Sequence, residues 1–276
     1  MLTFYGDASS NEADAGTPIM VVSGFISSAK LWSEFERRWA KVLERYGIAY
    51  FRMSEFAGCR GQFEGWRERE SDRREFLRRA IDIIRDIAWG SFAAGVLKDD
   101  WNLCNQDYEL EERSFMPYPL CAWACVDLVR RWSRGERGNR PYRFEEIMFV
   151  LEEGDADQAA FVSLAKKDFE TIVRPEPKIP KNGTPPIGAL QAADFAAWHV
   201  RNALNRYDMG TLERFREDFE MLFEAVPYRD HAHFGMKPIA VMPKNKLVRM
   251  STQNKADEAV SSLVRFCQDR GIRPRK

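Results

Sequence analysis

The chain has 276 residues, of which 45% are hydrophobic and 13% aromatic, so it can bury a sizeable core and global disorder is excluded. Lysine and arginine total 42, aspartate and glutamate also total 42, and the formal net charge is zero. Proteins that grip duplex nucleic acid over a broad face are usually basic. This balance of charge therefore argues against a large surface that binds nucleic acid non-specifically, but it allows a local basic groove.

The cysteine count and the hydropathy pattern bear on the cellular compartment. There are 5 cysteines, an odd number, and the chain begins Met-Leu-Thr-Phe-Tyr, which is typical of a strand and not of a basic and then apolar leader. We therefore expect reduced thiols and a cytoplasmic protein. No uninterrupted apolar run is long enough to span a bilayer, so we expect no membrane partner.

The first half of the chain alternates apolar strands with amphipathic helices. Runs rich in aromatic and β-branched residues predict strands over residues 2–6, 18–26, 49–51 and 91–97. Ser27 or Ser28 is the expected cap of a first helix, which Gly47 ends. A second amphipathic helix, with a long solvated face, precedes the strand at 91–97.

The second half continues this alternation. Residues 118–132 predict a helix with Cys121 and Cys125 on one face, and we interpret both as small core residues. Residues 147–151 are apolar without alternation, as in a central strand that is covered on both faces. A helix to about residue 169, a stretch rich in Pro and Lys, and a helix that begins at Gly188 follow.

This order of elements predicts an α/β protein with a mixed sheet of about five strands and helices on both faces. We expect one main domain over residues 1–206. The residues beyond it, 207–276, read as a helical C-terminal extension packed on that domain.

An acid, Asp194, lies on the edge of the apolar stripe of the helix that begins at Gly188. An acid at the edge of a buried face is partly desolvated, so a cation, a donor or a metal should lie beside it. From this helix alone, a structural ion pair with Arg201, which is on the same side two turns later, is the simpler interpretation.

Two further acids follow buried strands. Asp7 ends the first strand, and Glu152 ends the strand at 147–151, with Glu153 after it. If these strands are parallel neighbours, their carboxyl ends lie together, and open α/β sheets place ligands at that edge. A late helix across the same edge would add Asp194. Three such carboxylates repel one another, and a divalent cation such as Mg²⁺ or Mn²⁺ would relieve the repulsion.

Arginines are concentrated at and beyond the end of the helix at 118–132. They are Arg130, Arg131, Arg134, Arg137, Arg140 and Arg143. Guanidinium groups bind phosphate oxygens in bidentate fashion, so this stretch is a candidate contact to nucleic acid. The alternative is a solvated helix end, where arginine is favourable in any case.

Two of these regions resemble the domain-of-unknown-function 3800 family, which is grouped with ribonuclease-H-like folds. Leu190-Gln191-Ala192-Ala193-Asp194-Phe195 is similar to the late Q-x-A-D-hydrophobic motif of that family. Asp7 and Ser9 match its N-terminal motif, a strand that ends in Asp-Glu-Ser-Gly, whereas Ala8 and Ser10 depart from it.

Two single acids extend the resemblance. Glu55 matches the acid of the family's His-x-x-Glu motif, but Arg52 stands where the His would be. Glu152 stands at a strand end where the family usually has an acid, more often Asp.

The resemblance implies a ribonuclease-H-like fold over about residues 2–204 and a divalent-metal-dependent nuclease that hydrolyses phosphodiester bonds of DNA or RNA. Its catalytic acids would be Asp7, Glu152 and Asp194. The candidate ligands of Mg²⁺ or Mn²⁺ are Asp7, Glu152, Asp194, Glu153 and Glu55. The alternative is a non-catalytic binding or scaffold protein of the same fold, which Ala8, Arg52 and the neutral net charge favour.

Overall fold

A computed structural model of the chain describes residues 1–9, 18–135, 142–155, 157–180, 184–208, 216–224, 228–234 and 263–274. The strands are β1 (Leu2–Ser9), β2 (Ile19–Ser28), β3 (Gly90–Leu97), β4 (Ile147–Glu152), β5 (Val173–Glu176) and β6 (Tyr228–Phe234). The helices are α1 (Ala29–Tyr46), α2 (Met53–Gly58), α3 (Glu70–Ile87), α4 (Lys98–Tyr108), α5 (Pro117–Ser133), α6 (Gln158–Phe169), α7 (Gly188–Asp208) and α8 (Glu217–Glu224). A further helix covers 263–269.

The strands form one mixed sheet in the order β5-β4-β1-β2-β3-β6. β2 runs antiparallel to β1 and to β3, and the other neighbouring pairs are parallel. In the β1–β4 pair, Leu2 lies opposite Ile147 and Gly6 lies opposite Leu151. The two strands are thus parallel neighbours, and their carboxyl ends meet at one edge of the sheet, which is the condition for Asp7 and Glu152 to lie together.

Helices cover both faces of the sheet, and each face has its own buried cluster. One cluster joins alternate strand residues to α4, α5, α6 and the helix at 263–269. The other joins the remaining strand residues to α1, α2, α3, α7 and α8. β2 illustrates the alternation, since Met20 and Val22 belong to the first cluster and Val21 belongs to the second.

Local sequence signals explain several boundaries. The Ser28 hydroxyl accepts a hydrogen bond from the Leu31 N–H at 3.3 Å at the start of α1, and Gly47 ends this helix in the left-handed conformation, with φ 68°. Cys121 and Cys125 are buried in α5, and both are free thiols, which confirms their interpretation as core residues. Among the described residues, no helix is long and apolar enough to cross a membrane.

The predicted strand at 49–51 is wrong. The Ala49 N–H donates to the Gln62 side chain and the Phe51 N–H donates to the Gln191 side chain, each at 2.6 Å. Side chains from other segments therefore satisfy this backbone, and no neighbouring strand is needed. The sequence also gave no signal for β5 or β6. Because β6 pairs with β3, the part of the chain beyond residue 206 contributes a strand as well as helices.

Gly24 provides a test of the sheet register. Gly24 lies opposite Gly6 in the β1–β2 pair. A Cβ atom at Gly24 would overlap the Tyr5 carbonyl oxygen and lie 2.8 Å from the Gly6 Cα, and backbone atoms inside a sheet cannot move aside. We expect Gly24→Ala to lower the free energy of unfolding by about 1–3 kcal/mol or more, measured by urea unfolding.

The control is Gly90→Ala, also within the sheet. Its new Cβ atom would meet only side-chain atoms, the nearest at 3.0 Å, so the loss should be smaller. Equal losses in the two variants would contradict the register of β1 and β2.

Candidate functional site

The three predicted acids converge on one lysine at the carboxyl edge of β1 and β4. The Lys178 Nζ lies 2.7 Å from Asp7 Oδ2, 2.7 Å from Glu152 Oε2 and 3.4 Å from Asp194 Oδ1. The side chains of Lys178 and Asp7 are 3% and 2% exposed. The point that the carboxylates share is therefore filled by an ammonium group of the chain itself. We call Asp7, Glu152, Asp194 and Lys178 the lysine cluster.

Regular structure positions each acid of the lysine cluster. Asp7 lies near the end of β1, and the Ala8 N–H donates to its Oδ1 at 2.7 Å. Glu152 is the last residue of β4, the parallel neighbour of β1. Asp194 lies in α7, and its Oδ2 accepts a hydrogen bond from the Met53 N–H at 2.6 Å. A strand end, a second strand end and a helix thus each supply one carboxylate.

Lys178 comes from the segment between β5 and α7, and sequence reasoning missed it. β5 pairs with β4, which carries the segment along the edge of the sheet to the acids. The Lys178 carbonyl accepts a hydrogen bond from the Ile187 N–H at 3.1 Å, which closes this connection. The lysine stands in an irregular stretch rich in proline, without periodicity. The one signal for it was indirect, because an acid at the edge of a buried face, such as Asp194, calls for a cation, a donor or a metal beside it.

Burial and charge act in opposite directions on this cluster. Burial raises the pKa of Asp7 well above its usual range, although the ammonium of Lys178 opposes the rise. Burial alone would lower the pKa of Lys178, but attraction to Asp7, Asp194 and Glu152 outweighs it and raises that pKa. The pKa of Glu152 is lowered despite burial, because Asp7 and Lys178 bond to its carboxylate. Lys178 therefore stays charged, and Asp7 takes up a proton before Glu152 as the pH falls.

A cleft of about 530 Å³ opens beside the lysine cluster, between α2 and α7. Glu152 and Asp194 reach it, and their side chains are 20% and 17% exposed. The remaining lining residues are three arginines and a set of small or aromatic side chains: Arg52, Arg60, Arg201, Ala8, Ser9, Ser54, Ala57, Gly58 and Trp198. Three arginines thus line the same cleft as two acids whose negative charge Lys178 partly offsets.

The arginines of the cleft come from two elements. Arg52 immediately precedes α2, and Arg60 follows it closely. A Cβ atom at Gly58 would lie 2.7 Å from the Arg60 Nε, so the missing side chain at Gly58 leaves room for the Arg60 guanidinium. Arg201 lies on α7 two turns after Asp194 and lines the same cleft. Planar guanidinium groups placed in this way suit the oxygens of a phosphate or carboxylate.

Two candidate metal ligands make no ion pair with Lys178. Glu153 is exposed, and its N–H donates to the Glu176 carbonyl at 3.0 Å. The Oε1 of Glu55 accepts a hydrogen bond from the Tyr50 hydroxyl at 3.4 Å. The absence of a side chain at Gly61 makes room for the Glu55 Oε2. The structure therefore brings three of the five candidate acids together.

The described members of the predicted arginine stretch lie towards the opposite end of β4. Arg143 precedes the turn that leads into β4, and the length of this strand, 6 residues, separates that end from Glu152 by about 20 Å. Arg130 and Arg131 pair with Asp127 at 2.5 and 3.1 Å. The other members are Arg134, which is exposed at the end of α5, and Arg137 and Arg140, which lie outside the described residues. A ligand that places a single nucleotide in the cleft would therefore be too short to reach this arginine stretch.

The lysine cluster does not fit a divalent metal while Lys178 is in place. Carboxylate oxygens are suitable ligands for Mg²⁺ or Mn²⁺, but those ions need oxygens at about 2.0–2.2 Å. Here the nearest oxygens lie at 2.7 Å, 2.7 Å and 3.4 Å from a nitrogen at the shared point. Across the described part of the chain, no group of three or more His, Cys, Asp or Glu residues is arranged to hold a metal ion.

The pH dependence of stability tests the electrostatics beside the cluster. Burial, together with the charge of Glu152, raises the pKa of Asp155 from 3.8 to about 7, although Lys178 opposes the rise. An acid with a raised folded-state pKa stabilises the fold below its unfolded-state pKa, and this contribution is lost as the pH rises through about 7. Relative to the parent, Asp155→Asn should therefore gain roughly 4 kcal/mol between about pH 4 and about pH 8.

Urea unfolding at a series of pH values measures this difference. Asp99→Asn, which removes an exposed carboxylate of α4, is the control. A flat difference between Asp155→Asn and the parent, or an equal slope in the control, would contradict the assignment to Asp155.

No protein-family model, no curated protein and no solved structure matches this chain. What the protein does must therefore be argued from the lysine cluster and the cleft beside it.

Proposed function

We propose that this chain is a ribonuclease-H-like protein that binds the phosphodiester backbone of nucleic acid in the cleft, without a divalent metal. The observation that carries the proposal is the position of Lys178 Nζ, 2.7 Å from both Asp7 and Glu152 and 3.4 Å from Asp194. Lys178 offsets part of the negative charge of the acids, and the arginines that line the cleft add positive charge that attracts an anion. This is the binding-protein alternative that Ala8 and Arg52 already favoured.

The charges around the cleft support an anionic ligand. Arg52, Arg60 and Arg201 line it, and Glu152 and Asp194 reach it. Both acids are ion-paired with Lys178, so their charge is partly balanced before a ligand arrives. Arginine is the side chain best suited to phosphate, because its fork of donors matches two phosphate oxygens. The volume, about 530 Å³, is within the range of ligand sites in proteins.

Trp198 supports single-stranded nucleic acid as the class of ligand. Its half-buried ring lines the cleft, and the Arg216 guanidinium lies 5.8 Å from its centroid. Stacking of an unpaired base on an aromatic ring contributes about 1–3 kcal/mol. A short local groove is also what a chain of zero net charge can offer. The motif resemblance to the domain-of-unknown-function 3800 family, which is grouped with ribonuclease-H-like folds, favours nucleic acid over other phosphate-bearing ligands.

The cleft arginines provide the first test. We expect Arg52→Gln combined with Arg60→Gln to weaken binding of a labelled single-stranded oligonucleotide at least about tenfold, because two phosphate contacts are lost. The slope of log affinity against log salt should become shallower by about 1.4. Fluorescence anisotropy at several salt concentrations measures both quantities.

Arg134→Gln combined with Arg143→Gln is the matched control, since it removes the same charge towards the opposite end of β4. This variant should bind as the parent does. If the control loses affinity and the cleft variant does not, the arginine stretch is the contact and the cleft proposal is wrong.

A metal-dependent nuclease is the second candidate, and one specific observation favours it. Three acids from separate elements, Asp7, Glu152 and Asp194, meet at one point, which is the arrangement that the nuclease expectation needs. For this candidate to hold, Lys178 would have to leave that point. The two candidates differ in how they respond to added metal.

Asp194→Asn separates the two candidates. In the metal-free protein this change removes a charge from the partners of Lys178, so we expect a loss of about 1–3 kcal/mol of unfolding free energy in chelator. Thermal unfolding of the parent should not respond to Mg²⁺ or Mn²⁺. The control is Glu153→Gln, which removes an exposed neighbouring acid and should change neither result.

The nuclease candidate gives the opposite results for the same measurements. Metal should raise the melting temperature of the parent, and Asp194→Asn should abolish that rise while leaving stability in chelator equal or higher. Cleavage of an oligonucleotide that depends on metal and on Asp194 would replace the binding proposal with this one.

A further inference from the structure

The lysine cluster has the chemistry of a cation site that already holds a cation. Asp7, Glu152 and Asp194 are hard oxygen donors on three different elements, and each is within ion-pair distance of the Lys178 Nζ. Buried carboxylates destabilise a fold unless a positive charge answers them. The positive charge here is covalently part of the chain, so it is present at every metal concentration.

The distances distinguish an ammonium from a metal ion. An ammonium has three N–H donors, and here three carboxylate groups lie around it at 2.7, 2.7 and 3.4 Å. A divalent ion would draw the same oxygens inward to about 2.0–2.2 Å and complete its shell with water. Glu152 and Asp194 border the cleft, so water can reach the cluster from that side.

The backbone around Lys178 does not depend on its side chain. β5 pairs with β4, and the Glu153 N–H donates to the Glu176 carbonyl at 3.0 Å. The Ile187 N–H donates to the Lys178 carbonyl at 3.1 Å. Removal of the side chain beyond Cβ would thus empty the shared point while its walls, β1, β4 and α7, keep their connections.

We infer that Lys178 takes the place of a divalent metal ion in this protein, and that Asp7, Glu152 and Asp194 become a Mn²⁺ or Mg²⁺ site when this side chain is shortened. The inference goes beyond the proposed function, because it concerns the cation inside the cluster and not the ligand in the cleft. The inference also gives Lys178 a role that differs from surface ion pairing. The replacement of its ammonium by a bound Mn²⁺ or Mg²⁺ ion can be measured.

Lys178→Ala tests the inference with Mn²⁺ alone as the probe. In chelator the variant should melt at a lower temperature than the parent, because three carboxylates lose their shared cation. Addition of Mn²⁺ should raise the melting temperature of the variant by several degrees at about a hundredfold excess over the dissociation constant, whereas the parent should not respond. Loss of the free-Mn²⁺ electron paramagnetic resonance signal should show saturable binding by the variant.

The control is Lys178→Ala combined with Asp194→Asn, which should bind Mn²⁺ at least about tenfold more weakly because one charged ligand is gone. If Lys178→Ala is unfolded in chelator, its refolding by Mn²⁺ is followed by circular dichroism, and recovery supports the inference. A variant that stays unfolded with Mn²⁺, or folds without binding it, would overturn the inference. Saturable, Asp194-dependent Mn²⁺ binding by the parent would overturn it as well.

Oligonucleotide binding, measured on the parent and on the cleft variants, tests the proposed function separately from the Mn²⁺ experiment. The anisotropy measurement depends on Arg52 and Arg60, and the Mn²⁺ measurement depends on the lysine cluster. A cleft variant that keeps its affinity would therefore leave the lysine inference standing, and a Lys178→Ala variant that does not bind Mn²⁺ would leave the binding proposal standing. Asp194-dependent Mn²⁺ binding by the parent would overturn both.

Discussion

The buried ammonium of Lys178 is the interaction on which this edge of the molecule depends. It joins the end of β1, the end of β4 and the second turn of α7 through Asp7, Glu152 and Asp194. Loss of one partner from a buried ion pair commonly costs about 3–5 kcal/mol, because the remaining charge is left without compensation. The cluster thus fixes the edge strongly, and it also excludes other ions from the point it occupies.

The position of α7 sets the geometry of the cluster and the cleft together. Glu36 of α1 accepts hydrogen bonds from the Gly188 and Ala189 N–H groups at 2.8 and 2.9 Å, which satisfies the start of α7. The Gln191 Oε1 accepts from the Trp39 indole at 3.0 Å and from the Phe51 N–H at 2.6 Å. With its first two turns held in this way, α7 directs Asp194 to the lysine, and it places Trp198 and Arg201 further along the cleft.

The distribution of charge explains how a chain of zero net charge can still present a basic site. Many arginines form ion pairs with nearby acids, such as Arg79 with Glu75 on α3 and Arg131 with Asp127 on α5. At the cleft, Glu152 and Asp194 are ion-paired with Lys178, and three arginines line the same space. Local arrangement, and not net charge, therefore sets the electrostatic character of the cleft.

The sequence by itself determined the features that depend on near neighbours in the chain: the capped helix α1, the apolar strands β1 and β4, and acids at strand ends and on α7. These could be predicted because periodicity, caps and strand ends are local signals. Only the tertiary structure decided that Lys178 fills the point where the acids meet. Its pairing with Asp7 spans 171 positions, and its own stretch has no periodic pattern. A long-range contact made by one side chain produces no pattern in the neighbouring sequence. It can therefore be recognised only in the folded structure.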